Sequence, residues 1–471
     1  MSRGGLLGID IGTSGCKTVL IDLSGKVVAQ ASAPYAPRYP KPGWAEQDPE
    51  DWYQATISAV RAVLDKPAAE AARILAIGVT GQMISSVFVN NVGHPLRPAI
   101  LWMDQRSIAQ TRWLDEKYGD LICKITKTPI NTAYTLPRIL WVRQEEPWLW
   151  EKTHKVLLAK DYIRLCMTGE YATDFSDASG TLLLNSEQRS WSREILDAVG
   201  LKQSLLPLLT PSHEPTSLLS ANAAKTLGLE EGVPVVTGAG DLFSENLSAG
   251  NVSEGQRLIR FGSCGSISSP LARPVQDPNQ KCPCYVHCIP HRWLLETSTQ
   301  AFGLSDSWFK EKFCQEEVEE AKQQGKAMHE IVDKMVSSVP PGANDLYFHP
   351  FIQGAPYWDL FLRGGFIGIT ANHGKAHFAR AVLEGVTYSL RDALDLLEQA
   401  ESTEGNSLIH EWRAIGGGVR SASWRQIVAD VLGINLLFLE EANPSSGAAM
   451  LAGIGIGVFE SFEEAIRNCS A

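Results

Sequence analysis

The stretch that decides the fold is LLGIDIGTSGCK, residues 6–17. Its first five residues form a short apolar strand that ends in the carboxylate of Asp10, and residues 11–15 form a turn rich in glycine and hydroxyl groups. The chain then returns as a strand over residues 17–22 and again, after a second turn, over residues 27–31. This pattern predicts an antiparallel meander at the start of the chain.

The turn at residues 11–15 has the chemistry of a phosphate site. Glycines let a backbone approach a phosphate closely, while N–H and hydroxyl groups donate to its oxygens. Asp10, at the end of the strand, is placed to hold a water of a Mg²⁺ ion rather than the phosphate itself. The spacing of a P-loop is absent. An ordinary glycine-containing hairpin explains the same residues, so that alternative stays open.

A similar pattern restarts in the second half of the chain. Residues 257–261 form a strand, Gly262-Ser263-Cys264-Gly265 a turn, and residues 266–269 a returning strand. We therefore predict an α/β protein of two related domains, residues 1–249 and 250–471. Because no low-complexity linker separates them, we expect a shared interface with a ligand cleft.

Two further segments combine glycine with functional groups at the ends of strands. Asp241 follows a buried strand (residues 233–237) and the residues Gly238-Ala239-Gly240, which is where a general base would reach a substrate hydroxyl. A helix N-cap is an equally good interpretation of this aspartate. Gly416-Gly417-Gly418 lies between a predicted strand and a predicted helix, so a nucleotide would meet bare backbone there.

Composition and charge exclude several classes of partner. The 471 residues carry 42 basic and 53 acidic side chains, a net charge of −11, without the clustered cations that duplex nucleic acid requires. The longest weakly polar run is too short to span a bilayer, and the first residues do not resemble a signal peptide. Nine scattered cysteines indicate reduced thiols. We expect a cytoplasmic protein with no nucleic-acid or membrane partner.

Taken together, these segments resemble the FGGY carbohydrate kinases, whose domains have the actin-like ATPase (ribonuclease H-like) fold. The resemblance runs from end to end, and its most specific part is the stretch from Gly416 to Gln426. Its other segments are residues 8–14, 43–49, 80–83, 102–106, 160–169, 363–368, 384–385 and 446–449.

The resemblance implies ATP-dependent phosphorylation of a terminal hydroxyl of a small sugar or polyol, such as the pentulose xylulose. The first domain would hold the sugar and the catalytic base, the second the nucleotide, and the active site would lie in the cleft between them. A homodimer is also implied. The roles that carry over are: catalytic base, Asp241; Mg²⁺, Asp10 and Asp241; sugar, Gln82, Met83, Asp104 and Asp241; and ATP, Thr13, Ser14, Lys17, Ser263, Gly303, Gly416, Gly417, Gly418 and Ser421.

Departures from the family pattern leave the acceptor open. Ile84 stands where xylulose kinases usually have His, and Leu242 where they usually have Asn, so two possible donors to sugar hydroxyls are missing. Arg138 stands where a Lys is expected. Another ketose or polyol (L-xylulose, ribulose, erythritol or glycerol) therefore remains an alternative acceptor, and a loop ion pair is an alternative role for Asp104. An actin-like ATPase switch without a sugar acceptor is the alternative from a different class.

Overall fold

The computed structural model describes residues 3–69, 72–352, 362–401 and 409–469. Within these ranges, no helix combines the length and the apolar character needed to cross a lipid bilayer.

Strands and helices alternate along the chain. The strands are β1 (Arg3–Ile11), β2 (Gly15–Asp22), β3 (Val27–Pro34), β4 (Glu46–Gln47), β5 (Ala72–Gly81), β6 (Val87–Val89), β7 (Ala99–Ile100), β8 (Lys155–Leu157), β9 (Ala172–Asp174), β10 (Leu184–Asn185), β11 (Ser190–Trp191), β12 (Leu208–Thr210), β13 (Ser217–Leu218), β14 (Pro234–Val235), β15 (Ala239–Gly240), β16 (Gln256–Phe261), β17 (Gly265–Leu271), β18 (Cys284–Val286), β19 (Trp293–Thr299), β20 (Tyr347–His349), β21 (Gly365–Ile367), β22 (Glu411–Ile415) and β23 (Leu436–Phe438). The helices are α1 (Pro49–Leu64), α2 (Ile108–Thr126), α3 (Thr135–Glu145), α4 (Pro147–Trp150), α5 (Ala159–Thr168), α6 (Phe175–Ser179), α7 (Arg193–Val199), α8 (Ala221–Leu227), α9 (Asp241–Ser248), α10 (Phe302–Phe313), α11 (Gln315–Gln324), α12 (Met328–Ser337), α13 (Lys375–Glu401), α14 (Ala422–Leu432), α15 (Pro444–Gly455) and α16 (Phe462–Cys469).

The chain forms two compact units that are discontinuous in sequence. The first contains Met1–Val252, Leu271–Leu294 and Ala442–Ala471, and the second contains Ser253–Pro270 and Leu295–Glu441. The first unit therefore includes two segments that lie beyond residue 250 in the sequence, Leu271–Leu294 and Ala442–Ala471. The sequence-based division into residues 1–249 and 250–471 stays a prediction.

The first unit is built on a sheet whose main strand order is β13-β14-β5-β1-β2-β3, with β15 also paired to β5. The predicted meander is confirmed, because β1 pairs antiparallel with β2 and β2 pairs antiparallel with β3. On its other side β1 pairs parallel with β5. Leu6, Leu7, Ile9 and Ile11 of β1 are all fully buried, as expected for a central strand covered on both faces.

Helix α15 packs so closely on β1 and β5 that its backbone contacts the backbone of both strands. Gly8 and Gly78 are register partners on these two strands. A Cβ atom on Gly8 would lie 1.9 Å from the carbonyl oxygen of Ser445, and one on Gly78 would lie 1.9 Å from that of Ala448. On its other side the helix meets α9, where a Cβ on Gly447 would lie 1.9 Å from the Ser244 oxygen. Side chains at these three glycine positions would therefore separate the elements.

Two elements differ from the pattern that the sequence predicts. Residues 233–237 do not form one strand, because the chain breaks between β14 and β15, where Gly238 has a φ of +81° and lies directly against the Val79 carbonyl. The aromatic stretch over residues 136–150 predicts one helix, but the structure has two, α3 and α4, that meet at Pro147. Proline removes a helix hydrogen bond and restricts the residue before it, which ends the first helix there.

The second unit repeats the pairing scheme of the first. Strand β16 pairs antiparallel with β17 and parallel with β22, just as β1 pairs with β2 and β5. Strands β19, β17, β16, β22 and β23 follow one another in this order within one sheet. The spacing of apolar residues over 378–397 predicts an amphipathic helix, which is confirmed as the longer α13, and the predicted helix after the glycine triplet is confirmed as α14.

The close approach of α15 to the sheet makes Gly78 sensitive to even one methyl group. We expect Gly78→Ala to lower the free energy of unfolding by about 1–3 kcal/mol or more, because the clash is with backbone rather than with a movable side chain. Urea unfolding followed by circular dichroism measures this change. The matched control is Gly374→Ala, where an added Cβ meets no atom within 4 Å and the backbone has no left-handed φ. Equal stability of the two variants would contradict the packing argument.

Candidate active site

The carboxyl ends of three neighbouring parallel strands bring Asp10 and Asp241 to one edge of the first sheet. In the register of β1 and β5, Asp10 lies opposite Thr80, and in that of β15 and β5, Gly240 lies opposite Gly81. Adjacent strands are about 4.8 Å apart, so the strands that carry the two acids are about 10 Å apart across β5. The Thr80 hydroxyl ties this edge together by donating to the Ala239 carbonyl at 2.7 Å.

Asp241 is the first residue of α9 rather than its N-cap, which is Gly240. The alternative that this aspartate is a helix N-cap is therefore wrong. One of its carboxylate oxygens accepts from the Leu242 N–H at 2.9 Å, and the side chain is half-buried. A carboxylate in the first turn of a helix is also stabilised by the helix dipole.

The turn after β1 is held in place through its carbonyl oxygens. The Tyr35 hydroxyl donates to the Gly12 carbonyl at 2.7 Å, and the Gln47 amide donates to the Thr13 carbonyl at 2.7 Å. The Trp102 indole donates to the Thr13 hydroxyl at 3.1 Å, and Ser14 is exposed. The turn is thus fixed by neighbouring loops while one of its hydroxyl residues stays open to solvent. Lys17 lies on β2, opposite Asp10.

Gln82 and Met83 continue from β5 into the space beside this turn. The buried Gln82 donates from its backbone to the Ile11 carbonyl at 2.8 Å and from its side-chain amide to Gln47 at 2.9 Å. Met83 packs against Gly240, since a Cβ there would lie 2.6 Å from the Met83 Cγ. The segment predicted to hold the sugar therefore contacts the residue that precedes the candidate base.

Asp104 is fully buried in an ion pair. One oxygen accepts from the backbone N–H and the Nε of Arg106, both at 2.9 Å, and the other accepts from Arg106 Nη2 at 2.8 Å and from the Ala45 N–H at 2.6 Å. The guanidinium of Arg106 also lies over the Trp44 ring, 3.8 Å from its centre. This geometry favours the loop ion pair. The prediction that Asp104 binds substrate stays a prediction.

In the second unit, the predicted nucleotide residues gather around the ends of β16 and β22. Gly303 donates from its backbone to the Gly262 carbonyl at 2.9 Å, which places α10 directly behind the exposed Ser263. Gly416 has a φ of +98° and lies against the Phe261 backbone, and Gly417 is exposed. The strand–turn–helix setting predicted for the glycine triplet is thus confirmed.

Ser421 has a capping role in this unit. Its hydroxyl accepts from the Trp424 N–H at 3.1 Å as the N-cap of α14, and it donates to the carboxylate of Asp333. Its predicted contact with ATP stays a prediction.

Comparison with known proteins identifies the family. The N-terminal domain model of the FGGY family of carbohydrate kinases matches residues 6–248, and the C-terminal domain model of the same family matches residues 270–456. The chain belongs to the FGGY family of carbohydrate kinases. It is therefore a phosphotransferase with a sugar hydroxyl as acceptor, which argues against the ATPase-switch alternative.

Individual relatives match the kinase over nearly its whole length. It is 37% identical to a xylulose kinase of Bacillus subtilis, over 98% of this chain and 90% of the relative, and 36% identical to one of Lactococcus lactis, over 97% and 89%. The crystal structure of a xylulose kinase from Rhodospirillum rubrum superposes with a TM-score of 0.87 at 27% identity, over 98% of this chain and 92% of that one. The predicted fold of two actin-like domains is confirmed by these matches.

Sequence reasoning missed a buried charge cluster in the first unit of the kinase. Lys160 is fully buried, and its ammonium lies 2.5 Å from Asp161, 3.1 Å from Asp174 and 3.7 Å from Asp177. Three carboxylates thus share one ammonium. The acids at 174 and 177 are visible in the sequence, but only the fold brings them to Lys160, so spacing along the chain gave no usable signal.

Within this cluster, Asp177 is the side chain whose burial costs the most folding free energy. Neither of its buried carboxylate oxygens has a hydrogen-bond partner. Burial raises the pKa of this group well above its usual value, and the neighbouring charges of Asp161, Asp174 and Asp241 raise it further, against the opposing effect of Lys160. Helix α6, which carries Asp177, contacts β15, so the cluster lies close to the candidate base.

The raised pKa of Asp177 predicts that Asp177→Asn stabilises the kinase. Above the usual pKa the unfolded chain loses this proton while the native state keeps it, so the stability of the wild type falls as the pH rises through that range. Asparagine has no proton to lose in this range, so the variant avoids this fall in stability. We expect a gain of about 1–3 kcal/mol near pH 7 that shrinks toward pH 4. Urea unfolding of both proteins across this pH range measures it.

The matched control for this experiment lies within the same cluster. Asp161→Asn removes the closest partner of Lys160, and its carboxylate also accepts from the Leu158 N–H, so this variant should be less stable than the wild type. If both substitutions destabilise equally, the assignment of an unfavourable carboxyl to Asp177 is wrong.

Proposed function

We propose that this kinase transfers the γ-phosphoryl group of ATP to a terminal hydroxyl of a pentulose, with xylulose as the first candidate. The observation that carries the proposal is the register that brings Asp10 and Asp241 to neighbouring strand ends, in a chain that is 37% identical to a xylulose kinase over nearly its whole length. A base and a phosphate turn at one sheet edge suit in-line attack of a hydroxyl on ATP.

In the proposed mechanism, Asp241 accepts the proton of the attacking hydroxyl. Its position at the start of α9, beside Met83, supports this role, because Gln82 and Met83 would hold the sugar within reach of the carboxylate. Asp104 would act on the sugar through the loop that its ion pair with Arg106 orders.

The phosphates and the nucleotide would be held by backbone and hydroxyl groups. We assign the phosphates to the turn of Thr13 and Ser14, to Lys17 and, from the second domain, to Ser263. The adenine nucleotide would lie along Gly303 and the Gly416–Gly418 turn, with Ser421 at its border. The close backbone contacts of Gly303 and Gly416 support this assignment, because such turns present N–H groups to a ligand.

Mg²⁺ fits the donor set at the sheet edge. The carboxylate oxygens of Asp10 and Asp241 are hard ligands, and Mg²⁺ in kinases is typically held by one or two carboxylates together with substrate phosphates and waters. The ion, when bound, would neutralise charge on the phosphates.

The surroundings of the sugar segment are apolar at two positions. Ile84 and Leu242 are 9% and 8% exposed. Such side chains shape a pocket by fit rather than by hydrogen bonding. Other ketoses and polyols, namely L-xylulose, ribulose, erythritol and glycerol, remain the runner-up acceptors.

We further propose that the kinase works in the cytoplasm, as a homodimer. Its use of ATP and its nine free thiols suit a reducing compartment. The proposal of a homodimer rests on the family resemblance alone, and light scattering of the purified protein tests it.

Replacing the proposed base tests the mechanism. We expect Asp241→Asn to fold and bind ATP but to lose about 10²- to 10⁴-fold in kcat, the usual contribution of a general base. A coupled ADP-release assay with xylulose measures the turnover. Asp197→Asn, at an exposed site on α7, is the control and should keep wild-type activity. Near-normal turnover of Asp241→Asn would remove Asp241 from the role of base.

A panel of acceptors tests the substrate. We expect kcat/KM to be higher for the pentuloses than for erythritol and glycerol, because a five-carbon ketose fills the apolar pocket and presents its carbonyl. Among the pentuloses we expect one enantiomer of xylulose to exceed D-ribulose, because a change of configuration moves a hydroxyl in a pocket that selects by fit. The same ADP-release assay, run with each acceptor and without any, gives the ranking. A polyol at the top of the ranking would replace xylulose, and rapid ADP release without an acceptor would favour the ATPase switch.

A further inference from the structure

Ile84 adopts a backbone conformation that its side chain disfavours. Its φ is +59°, in the left-handed region, where a β-branched residue is a genuine outlier. Among the residues that the structure describes, it is the one β-branched residue with a positive φ. Such strain persists only where surrounding contacts fix the backbone, and it concentrates at functional sites.

The contacts that fix Ile84 come from helix α3. Arg138 donates from Nη1 to the Ile84 carbonyl oxygen at 2.8 Å, and the Thr135 hydroxyl donates to the same oxygen at 3.2 Å. The side chain of Ile84 also fits against Gly180, where a Cβ would lie 2.6 Å from its Cγ2. The Ser86 hydroxyl is a third donor to this oxygen, at 3.3 Å. Ile84 is thus held by two donors from α3, by Ser86 and by its fit against the missing side chain of Gly180.

Arg138 has an unusual environment for a charged group. Its side chain is fully buried, and its hydrogen-bond partners in the described part of the chain are all backbone carbonyls: besides Ile84, Nη2 donates to Trp102 at 2.8 Å and to Thr132 at 3.2 Å. Burial lowers the pKa of this guanidinium to about 9. A buried cation is normally paired with a carboxylate, because desolvation is costly.

Two of the three carbonyls that Arg138 binds, those of Ile84 and Trp102, belong to segments that contact the proposed site. Met83, next to Ile84, packs against Gly240, the residue before Asp241. Trp102 donates from its indole to the Thr13 hydroxyl in the proposed phosphate turn. One guanidinium therefore connects the sugar segment and a loop that contacts the phosphate turn.

We propose that Arg138 is a positioning residue that locks the segment Gln82–Ile84 in its strained conformation and thereby sets acceptor selectivity. The inference rests on the proposed function, since it takes this segment as the sugar site. The guanidinium donates to the Ile84 and Trp102 carbonyls from two different nitrogens held in one rigid plane, whereas the three donors of an ammonium group leave a single nitrogen on a flexible stem. Loosening this lock would displace the sugar relative to the base while leaving the nucleotide residues in place.

Arg138→Lys and Arg138→Gln test the inference. We expect kcat/KM for the acceptor to fall about 10- to 100-fold, the scale of a displacement of about 1 Å at a reacting group, with a higher KM for the acceptor and with the KM for ATP within about twofold of the wild type. The ratio of kcat/KM between the preferred acceptor and the next best should fall toward one. Thr135→Val, which removes the second donor to the Ile84 carbonyl, should move the same ratio less.

Arg143→Lys is the matched control. Arg143 lies on the same helix and also donates to backbone carbonyls, those of Val199 and Gly200, but at the other end of α3. We expect wild-type kinetics from this variant. A merely structural role for Arg138 would lower the amount of active enzyme and the melting temperature without changing the acceptor KM or the selectivity.

The outcomes separate this inference from the proposed function. Selectivity is measured over whichever acceptors the wild type phosphorylates, so a kinase that prefers another sugar overturns the assignment of xylulose and leaves the test of Arg138 intact. Unchanged acceptor KM and selectivity in folded Arg138→Lys overturns the inference. If Arg138→Gln does not fold, the Lys and Thr135→Val variants decide.

Discussion

Direct contact between backbones is the constraint on which the candidate site depends. Helix α15 lies on β1 and β5 at Gly8 and Gly78, and α9 lies on α15 at Gly447. Strand β1 ends in Asp10 and helix α9 begins with Asp241. Because no side chain separates these elements, the two acids are held by the stiffest part of the unit rather than by loops. This is the rigidity that a phosphoryl-transfer site needs, since most of its rate comes from positioning.

Hydrogen bonds of the Gln47 side-chain amide connect this rigid framework to the turns. The Gln47 side chain accepts from the Trp52 indole and from Gln82, both at 2.9 Å, and donates to the Thr13 carbonyl. One amide thus joins the phosphate turn, the sugar segment and the first helix. Each of these bonds is buried or partly buried, so each is costly to break without a replacement. The turns are ordered by their neighbours rather than by their own short sequences.

The sequence predicted the parts of the molecule that depend on local pattern. The meander around residues 6–31 and the strand–turn–helix setting of Gly416–Gly418 follow from residue types at fixed spacings. Asp241 was singled out as a candidate base because it follows a buried strand and small residues, where a helix N-cap was an equally good interpretation. The breaks at Gly238 and Pro147 were missed, because apolar runs on both sides of them resemble continuous elements.

The features that could not be predicted from the sequence depend on contacts between residues that are distant along the chain. For Asp104 the sequence left a sugar contact and a loop ion pair as alternatives, and only the structure shows that Arg106 and Ala45 donate to its oxygens. Lys160 and Asp177 are 17 positions apart and lie on different helices. Arg138 falls on an apolar helix where charge would be expected to point to solvent, yet the fold closes three carbonyls around it.

Several features near Asp241 lower the stability of the fold, and they argue for a function at this site independently of the family resemblance. Within the described part of the first unit, an Asp177 carboxyl without hydrogen-bond partners, a fully buried guanidinium and a left-handed isoleucine all lie beside the segment from Gly81 to Ile84 or the start of α9. Each is unfavourable for folding, and apolar or relaxed alternatives would be more stable. Selection for stability alone would remove such features, whereas natural proteins keep conflicts of this kind where activity requires them. Their position at one sheet edge supports the proposal that the active site of the first unit lies at this edge.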